Sequence, residues 1–164
     1  MNAEKDQGQT VGLEPPRFVD GKKLVLAGLR EHVEDLRDIP ALWQRALTHK
    51  SSKRVGTVDY GASFHPGTDR FEYLAGFEVS DVSGLPAGLS YVTIPAQRYA
   101  VFSHRGHVSE LCQTCDRAGK WLEQSGHKHV DAESGAPDFF ERYSEEFNPQ
   151  AGIGGMEVWV PIAS

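Results

Sequence analysis

The sequence has few cysteines, a deficit of positive charge and no long apolar run. Its two cysteines among 164 residues exclude a small scaffold held together by disulfides. No apolar stretch approaches the roughly 18 residues that a membrane-spanning helix needs, and no apolar segment follows the polar residues after Met1. We therefore expect neither a membrane span nor a secretory signal, and we predict a cytoplasmic protein.

The charge balance argues against a phosphate-rich partner. The chain has 17 Lys and Arg against 23 Asp and Glu, a net charge of −6. A net acidic chain gains no electrostatic attraction to a nucleic-acid backbone, so we predict no direct nucleic-acid binding. Hydrophobic residues make up 39% of the chain, which is enough for one folded domain and excludes general disorder.

The chain is predicted to form one domain preceded by a tail. Residues 1–17 are polar and lack periodicity, and we interpret them as a flexible N-terminal tail, with the folded domain over 18–164. Within that domain the predicted element order is strand, helix, strand, strand over about 18–82, and the same order again over about 89–164. This repetition predicts an internal duplication.

Two short segments support the duplication, Tyr60–Pro66 and Tyr143–Pro149. Both have the pattern Tyr-x3-Phe-x-Pro, at a displacement of 83 residues. Two such units are expected to pair as an α+β fold, in which duplicated β-α-β-β units form one curved antiparallel sheet with two helices on one face. The opposite face, at the boundary between the repeats, is the expected ligand cleft.

The segment Pro137–Tyr143 carries the most informative residues. On a strand, residues two apart share a face, so Phe139, Glu141 and Tyr143 are expected to point in one direction. A carboxylate between aromatic rings suits a lipophilic cation, because the rings supply apolar and cation–π contacts and the acid supplies the opposite charge. The residues alone leave an alternative open, in which Glu141 lies in water at a strand edge or pairs with a neighbouring arginine.

Five motifs carry a resemblance to a known family, most strongly over about 91–162. They are Ile94-Pro95-Ala96-x-x-Tyr99-Ala100-Val101-Phe102, His104-x-Gly106, Trp121-Leu122-x-x-Ser125-Gly126, Pro137-Asp138-Phe139-x-Glu141-Arg142-Tyr143 and Val158-Trp159-Val160-Pro161-Ile162. Together they resemble the GyrI-like small-molecule-binding domain. This bacterial effector-binding module is also found at the C-terminus of AraC-type regulators such as Rob and of the multidrug regulator BmrR.

The resemblance implies a duplicated fold whose cleft binds small, lipophilic and often cationic compounds. Family members that bind such cations use a glutamate in the cleft, and the position that matches the family's Glu-x-Tyr pattern is Glu141, with Tyr143 beside it. Trp43 and Trp121 occur at core spacing on the predicted helices and are interpreted as packing residues. Further aromatic walls of the cleft are expected from closeness to the motif and to the boundary between repeats: Phe139, Tyr60, Tyr73 and Trp159.

The chain departs from the regulators, since no helix-turn-helix is found before the domain. We therefore expect a free-standing module that sequesters a compound or senses it for a separate protein partner, or that inhibits a macromolecule such as DNA gyrase. Some family members hydrolyse strained, cyclopropane-containing compounds with a glutamate and a tyrosine, which makes Glu141 and Tyr143 the alternative catalytic pair. A homodimer is a further alternative, because the alternating strand Phe71–Val79 could leave an edge for a second copy to cover.

Four potential zinc ligands lie close together, namely His104, His107, Cys112 and Cys115. The two cysteines fall on the apolar face of the predicted second helix, where free cysteine packs as a small apolar residue, so we predict no metal site. The glycine-rich segment 152–155 precedes a strand, whereas phosphate-binding loops open a helix. No cofactor is therefore predicted.

Overall fold

The computed structural model describes residues 15–130 and 135–163, and every structural statement below refers to these residues. They form eight strands and two α-helices. The helices are α1 (Ile39–Ala46) and α2 (Leu111–Ser125). The strands are β1 (Arg17–Gly21), β2 (Leu24–His32), β3 (Arg54–Phe64), β4 (Glu72–Val79), β5 (Ser90–Ile94), β6 (Gln97–His104), β7 (Phe139–Tyr143) and β8 (Met156–Ile162).

All eight strands join one antiparallel sheet in the order β1-β6-β8-β7-β3-β4-β2-β5. Helix α1 follows β2 and packs on β2 and β4, while α2 follows β6 and packs on β6 and β8. The cross-strand register places both sets of contacted side chains on the same face of the sheet. The predicted α+β architecture, with one antiparallel sheet and two helices on one face, is confirmed.

Each half of the chain has one strand more than predicted before its helix. The first strand of each half pairs with the other half, since β1 pairs with β6 and β5 pairs with β2. β1 begins at Arg17, the last residue assigned to the predicted tail, and residues 1–14 lie outside the described part of the chain. The two halves therefore have the same element order and exchange their first strands.

These exchanged strands force the sheet to curl. β1 and β2 are six positions apart in the sheet, which corresponds to roughly 29 Å if the sheet were flat. Only two residues, Lys22 and Lys23, connect them, and the chain from Gly21 to Leu24 spans at most about 11 Å. The connection from β5 to β6 is equally short. The two ends of the sheet must therefore approach each other.

The concave face of the curled sheet is filled by side chains. One cluster joins strands from both ends of the sheet, and its rings from the central and end strands pack edge to face. The largest of these buried residues are Tyr60, Phe64, Tyr99 and Phe140, with Leu26, Leu74 and Ile94 beside them. This face, where the ligand cleft is expected, carries one of the two largest apolar clusters, and the polar residues Ser103, Arg142 and Glu157 of the same face line a cavity at the strand ends.

The convex face carries the helices over two separate clusters. Under α1, Leu42 and Ala46 pack on Tyr73 and Ala75 of β4. Under α2, a larger cluster includes Leu111, Ala118 and Leu122 of the helix with Phe102, Val158 and Val160 of the sheet. Trp43 of α1 packs against both clusters, so it lies where they meet.

The helix boundaries follow local sequence signals. Pro40 is in the first turn of α1, where its missing N–H is not needed, as the sequence predicts. α2 ends at Gly126, whose φ of 86° is a left-handed conformation that glycine adopts without strain. Neither helix of the described chain is long and apolar enough to cross a lipid bilayer.

The two Tyr-x3-Phe-x-Pro segments are not structurally equivalent. Tyr60 and Phe64 point to the concave face, whereas Tyr143 and Phe147 pack on the helix face. A twofold relation between the halves would keep each residue on its own face, so the displacement of 83 residues does not relate equivalent positions. The duplication is visible in the element order and the exchanged strands. β4, the strand considered as a free edge, lies inside the sheet between β3 and β2, and the edges are β1 and β5.

Candidate binding site between the helices and the sheet

Glu141 lies at the centre of the sheet on its helix-bearing face. It is in β7, directly opposite Gly61 of the neighbouring β3. Its side chain is buried, and its Oε1 atom accepts two hydrogen bonds from tyrosines: the phenol of Tyr73 at 2.7 Å and the phenol of Tyr143 at 2.8 Å. One carboxylate thus joins a tyrosine from each half of the chain.

Gly61 provides the space in which these three side chains meet. A Cβ atom at this position would lie 1.8 Å from the Tyr73 hydroxyl oxygen and 2.9 Å from Oε1 of Glu141. Both separations are shorter than van der Waals contact, so any larger residue would displace the phenol or the carboxylate. Glycine in the middle of β3 is therefore a requirement of the site.

Trp43 covers this cluster from α1. Its indole N–H donates a 3.1 Å hydrogen bond to the Tyr73 hydroxyl. Its ring lies edge-on to the rings of Tyr73 and Tyr143, with centroids 6.4 and 5.4 Å apart. A chain of hydrogen bonds therefore runs from Trp43 through Tyr73 to Glu141, and only the eight-residue α1 holds its outer end.

Burial governs the electrostatics of the cluster. It raises the pKa of Glu141 above its ordinary value, although the two tyrosine hydrogen bonds act in the opposite direction. The pKa values of Tyr73 and Tyr143 are raised well above the ordinary range, first by burial and then by the Glu141 charge. Both phenols therefore stay protonated and act as donors to the carboxylate.

The neighbouring arginine is not the partner of Glu141. Arg142 points to the concave face, where it donates to Glu157 at 3.3 Å and lies over the rings of Tyr60 and Trp159. Glu141 is likewise not at a strand edge in water, because β7 lies between β8 and β3. Neither alternative that the sequence left open for Glu141 is found.

Four of the six expected site residues share the helix face. Glu141, Phe139 and Tyr143 come from β7, and Tyr73 reaches them from β4. Tyr60 and Trp159 instead lie on the concave face and belong to the packed core or its margin. These two residues do not join the aromatic wall around Glu141. Side chains alternate between the two faces along each strand, and Tyr60 and Trp159 occupy positions that point away from Glu141.

Two residues of this site were not identified from the sequence. Trp43 was interpreted as a packing residue, although it bonds directly to Tyr73. Gly61 was not singled out, although a glycine inside a strand indicates a close approach of other groups. The glycine inside a predicted strand could have been noticed in the sequence, whereas nothing in the sequence indicates that Trp43 lies over Tyr73.

The two histidines and two cysteines considered as zinc ligands have different surroundings in the structure. Nδ1 of His104 bonds to the Thr114 hydroxyl and its Nε2 to the carbonyl of His107. Cys112 is exposed, whereas Cys115 faces inward. Burial, with a smaller contribution from the Glu141 charge, raises the pKa of the Cys115 thiol well above its ordinary value. Cys115 lies on α2 and packs against the cluster that includes Tyr143. In the described chain, no group of three or more such side chains could hold a metal ion.

Two cavities lie beside the sheet. The larger, about 500 Å³, is at the ends of β6, β7 and β8 and has a polar lining of mixed charge that includes Arg142 and Glu157. The smaller, about 30 Å³, lies beside Trp43 on the helix face. Glu141 lines neither of these cavities, whereas Trp43, which bonds to Tyr73, forms part of the wall of the smaller one.

A family model places this chain. The model of the GyrI-like small molecule binding domain matches residues 14–163. The chain belongs to the GyrI-like family of small-molecule-binding domains. The resemblance stated from the sequence motifs is thereby confirmed.

A curated relative and two solved structures illustrate what this GyrI-like domain is similar to. The transcriptional regulator BrlR of Pseudomonas aeruginosa is 30% identical over 132 residues, which cover 76% of this chain and 46% of the regulator. The chain thus spans about half the length of that relative. The structure of SAV2435 bound to tetraphenylphosphonium has a TM-score of 0.69 at 19% identity, covering 92% of this chain and 95% of the other. The C-terminal domain of EcmrR has a TM-score of 0.70 at 13% identity, covering 93% and 98%.

Proposed function

We propose that this GyrI-like domain binds small lipophilic cations, with Glu141 as the ionic contact and aromatic side chains around it. The observation that supports this most directly is a buried carboxylate held by two tyrosines with no cationic partner among its recorded bonds. Such a module would sequester a compound or report its presence to another protein.

The energetics favour a cation over an anion or a neutral compound. Taking a carboxylate out of water costs several kcal/mol, and the two phenol donors return only part of that cost. A lipophilic cation supplies the missing charge and brings little hydration to lose, while Tyr73, Tyr143, Phe139 and Trp43 offer ring surface for cation–π contact. An anion would meet the same carboxylate with repulsion.

Access to Glu141 requires Trp43 to move. Its indole packs on the two tyrosines that bind the carboxylate, and its single recorded hydrogen bond at the site is the one to Tyr73. α1 has eight residues and covers the smaller apolar cluster, whereas α2 has fifteen residues and covers the larger one. We therefore expect ligands to enter on the α1 side.

Two relatives are consistent with this proposal. SAV2435, which shares the fold, was determined with the lipophilic cation tetraphenylphosphonium. BrlR is a transcriptional regulator of which this chain spans 46%. A role as an effector-binding or drug-sequestering module would suit such a domain.

Calorimetric titration with ions of matched shape tests the proposal. Tetraphenylphosphonium and tetraphenylborate have nearly the same form and opposite charge. We expect the wild type to bind only the cation, and Glu141→Gln to weaken that binding at least tenfold, because glutamine keeps the acceptor for both phenols but removes the charge. Glu123→Gln, the same change on the exposed face of α2, is the matched control and should bind as the wild type does.

Three results would contradict the proposal. Equal binding of both ions would show that the charge of the ligand does not determine binding. An equal loss of cation affinity in Glu123→Gln would show a general electrostatic effect. Mass spectrometry of compounds after incubation addresses hydrolysis by Glu141 and Tyr143. A cyclopropane-containing compound that is consumed by the wild type and not by Glu141→Gln would replace the binding role with a catalytic one.

A further inference from the structure

A second carboxylate lies on the same face of the sheet as Glu141. Asp59 of β3 is directly opposite Tyr143 of β7, and Tyr143 is two residues from Glu141 on that strand. Since Glu141 is itself opposite Gly61, Asp59 and Glu141 are diagonal neighbours in the sheet. The Cα atoms of such neighbours lie about 7–8 Å apart.

Asp59 and Glu141 share Trp43 as a neighbour. Asp59 lines the small cavity of about 30 Å³, which has room for one water-sized group, and Trp43 forms part of the same wall. The indole of Trp43 also bonds to Tyr73 in the Glu141 cluster. Movement of Trp43 would therefore join the cavity beside Asp59 to the space around Glu141.

The surfaces around the two carboxylates are aromatic. Tyr143 lies opposite Asp59 on one side and Phe77 lies opposite it on the other. Trp43 covers the region from α1. A flat apolar group placed between the carboxylates would thus contact rings on several sides.

The existing partner of Asp59 does not fully compensate its burial. Arg54 Nη2 is 3.1 Å from Oδ1 of Asp59, but the same guanidinium also donates to the carbonyls of Gly56 and Val58. Arg54 is therefore held in place without Asp59. Burial raises the pKa of Asp59 above its ordinary value and outweighs the opposing effect of Arg54. The carboxylate would gain from a further cation.

We propose that this site prefers compounds with two cationic groups about one aromatic ring apart, one bound by Glu141 and the other by Asp59. The inference rests on the proposed cation binding at Glu141 and adds the substrate class. A monocation leaves Asp59 as it is, whereas a dication places a charge at each carboxylate and its ring against Trp43 and Tyr143.

A matched pair of quaternary ammonium compounds tests this preference. p-Xylylenebis(trimethylammonium) has two charges across one ring, and 4-methylbenzyltrimethylammonium has the same ring with one. We expect calorimetry to show tighter binding of the dication by the wild type. Asp59→Asn should lower the ratio of dication to monocation affinity at least tenfold, Asp59→Glu should restore most of it, and Arg54→Gln should raise dication affinity a few-fold.

The control is Asp20→Asn, which also breaks an aspartate–arginine pair, with Arg98, but does so on the exposed edge strand β1. It should leave the ratio unchanged, and thermal denaturation should show that every variant is folded. An unchanged ratio in Asp59→Asn, or the same loss in Asp20→Asn, would overturn the two-charge inference.

The same titrations separate this inference from the proposed function. If tetraphenylphosphonium binds in a Glu141-dependent manner but the ratio does not depend on Asp59, or neither ammonium compound binds, only the two-charge inference fails. If no cation of any kind binds, both fail.

Discussion

The two faces of the sheet are built from alternate residues of the same strands, yet they differ in composition and in closure. The concave face is apolar and aromatic and is closed by the sheet itself, through two connections of two residues each. The helix face contains a buried carboxylate with its tyrosines and is closed by α1 and α2. Opening the concave face requires breaking the sheet, whereas opening the helix face requires only moving a helix.

This difference indicates that the concave face mainly stabilises the fold and that the helix face provides the proposed binding site. The concave core consists of apolar and aromatic residues and joins strands from both ends of the sheet, so its role is to stabilise the fold. The helix face includes polar groups that cost free energy to bury and are useful only when a ligand completes them. Variants on the concave face should therefore change stability, and variants around Glu141 should change binding more than stability.

The largest effect is expected from Phe140→Ala on the concave face. Phe140 is 1% exposed, and its ring contacts those of Tyr60, Tyr99 and Trp159. Its removal should lower the free energy of unfolding by about 3–5 kcal/mol, measured by urea denaturation. Phe139→Ala, the adjacent and half-buried residue on the other face, is the comparison and should cost clearly less. Equal losses would remove the distinction between the faces.

Gly61→Ala should have the next largest effect, and it should fall mainly on binding. The added methyl group would overlap the Tyr73 hydroxyl and approach Oε1 of Glu141. We expect a loss of about 1–3 kcal/mol in stability and at least a tenfold loss in cation affinity. Gly119→Ala on α2, where an added Cβ meets nothing within 4 Å, is the control. Unchanged affinity in Gly61→Ala would show that the cluster around Glu141 is not the site.

The sequence predicted the architecture well because its signals are local. Alternation and helical spacing identified the elements over α1, α2, β4, β7 and β8, and five motifs taken together identified the family. Alternation along β7 also placed Glu141, Phe139 and Tyr143 on one face correctly.

Which face holds the carboxylate could not be predicted, because that depends on long-range pairing. β1 is five residues long, its side chains are mostly exposed, and it pairs with β6 about 80 residues away, so the exchange of first strands left little local signal. Without that exchange, the curl of the sheet and the filling of its concave face cannot be inferred. For the same reason Tyr60 and Trp159 were expected in the site, although their side chains point to the concave face and not to the face of Glu141.

The third prediction concerns pH and Glu141. Because the pKa of Glu141 is raised in the folded protein, the folded state holds this proton more tightly than the unfolded state. The stability contribution is therefore fully present below the pKa of the unfolded state and is lost as the pH rises through the folded pKa. Relative to Glu141→Gln, the wild type should lose about 1.4 kcal/mol for each pH unit between the two pKa values.

Binding should respond to pH in the opposite direction. Tetraphenylphosphonium affinity should rise as Glu141 loses its proton and should level off above its folded pKa, and Glu141→Gln should show no such rise. Urea denaturation and calorimetry from about pH 4 to about pH 8 measure both trends. A cation affinity that is independent of pH in the wild type would contradict the role of Glu141 as the charged contact.

The smallest effect is expected from Trp43→Phe, which separates closure of the site from its chemistry. Phenylalanine keeps a ring over Tyr73 and Tyr143 but removes the N–H that bonds to the Tyr73 hydroxyl. One hydrogen bond of this kind contributes about 0.5–1.5 kcal/mol, so stability should fall by no more than that. Because a ligand no longer has to break this bond to reach Glu141, cation affinity should rise a few-fold. Trp121→Phe on α2, where the indole stacks on His127, should change stability without changing affinity. If both variants weaken cation binding equally, Trp43 supports the fold and does not close the site.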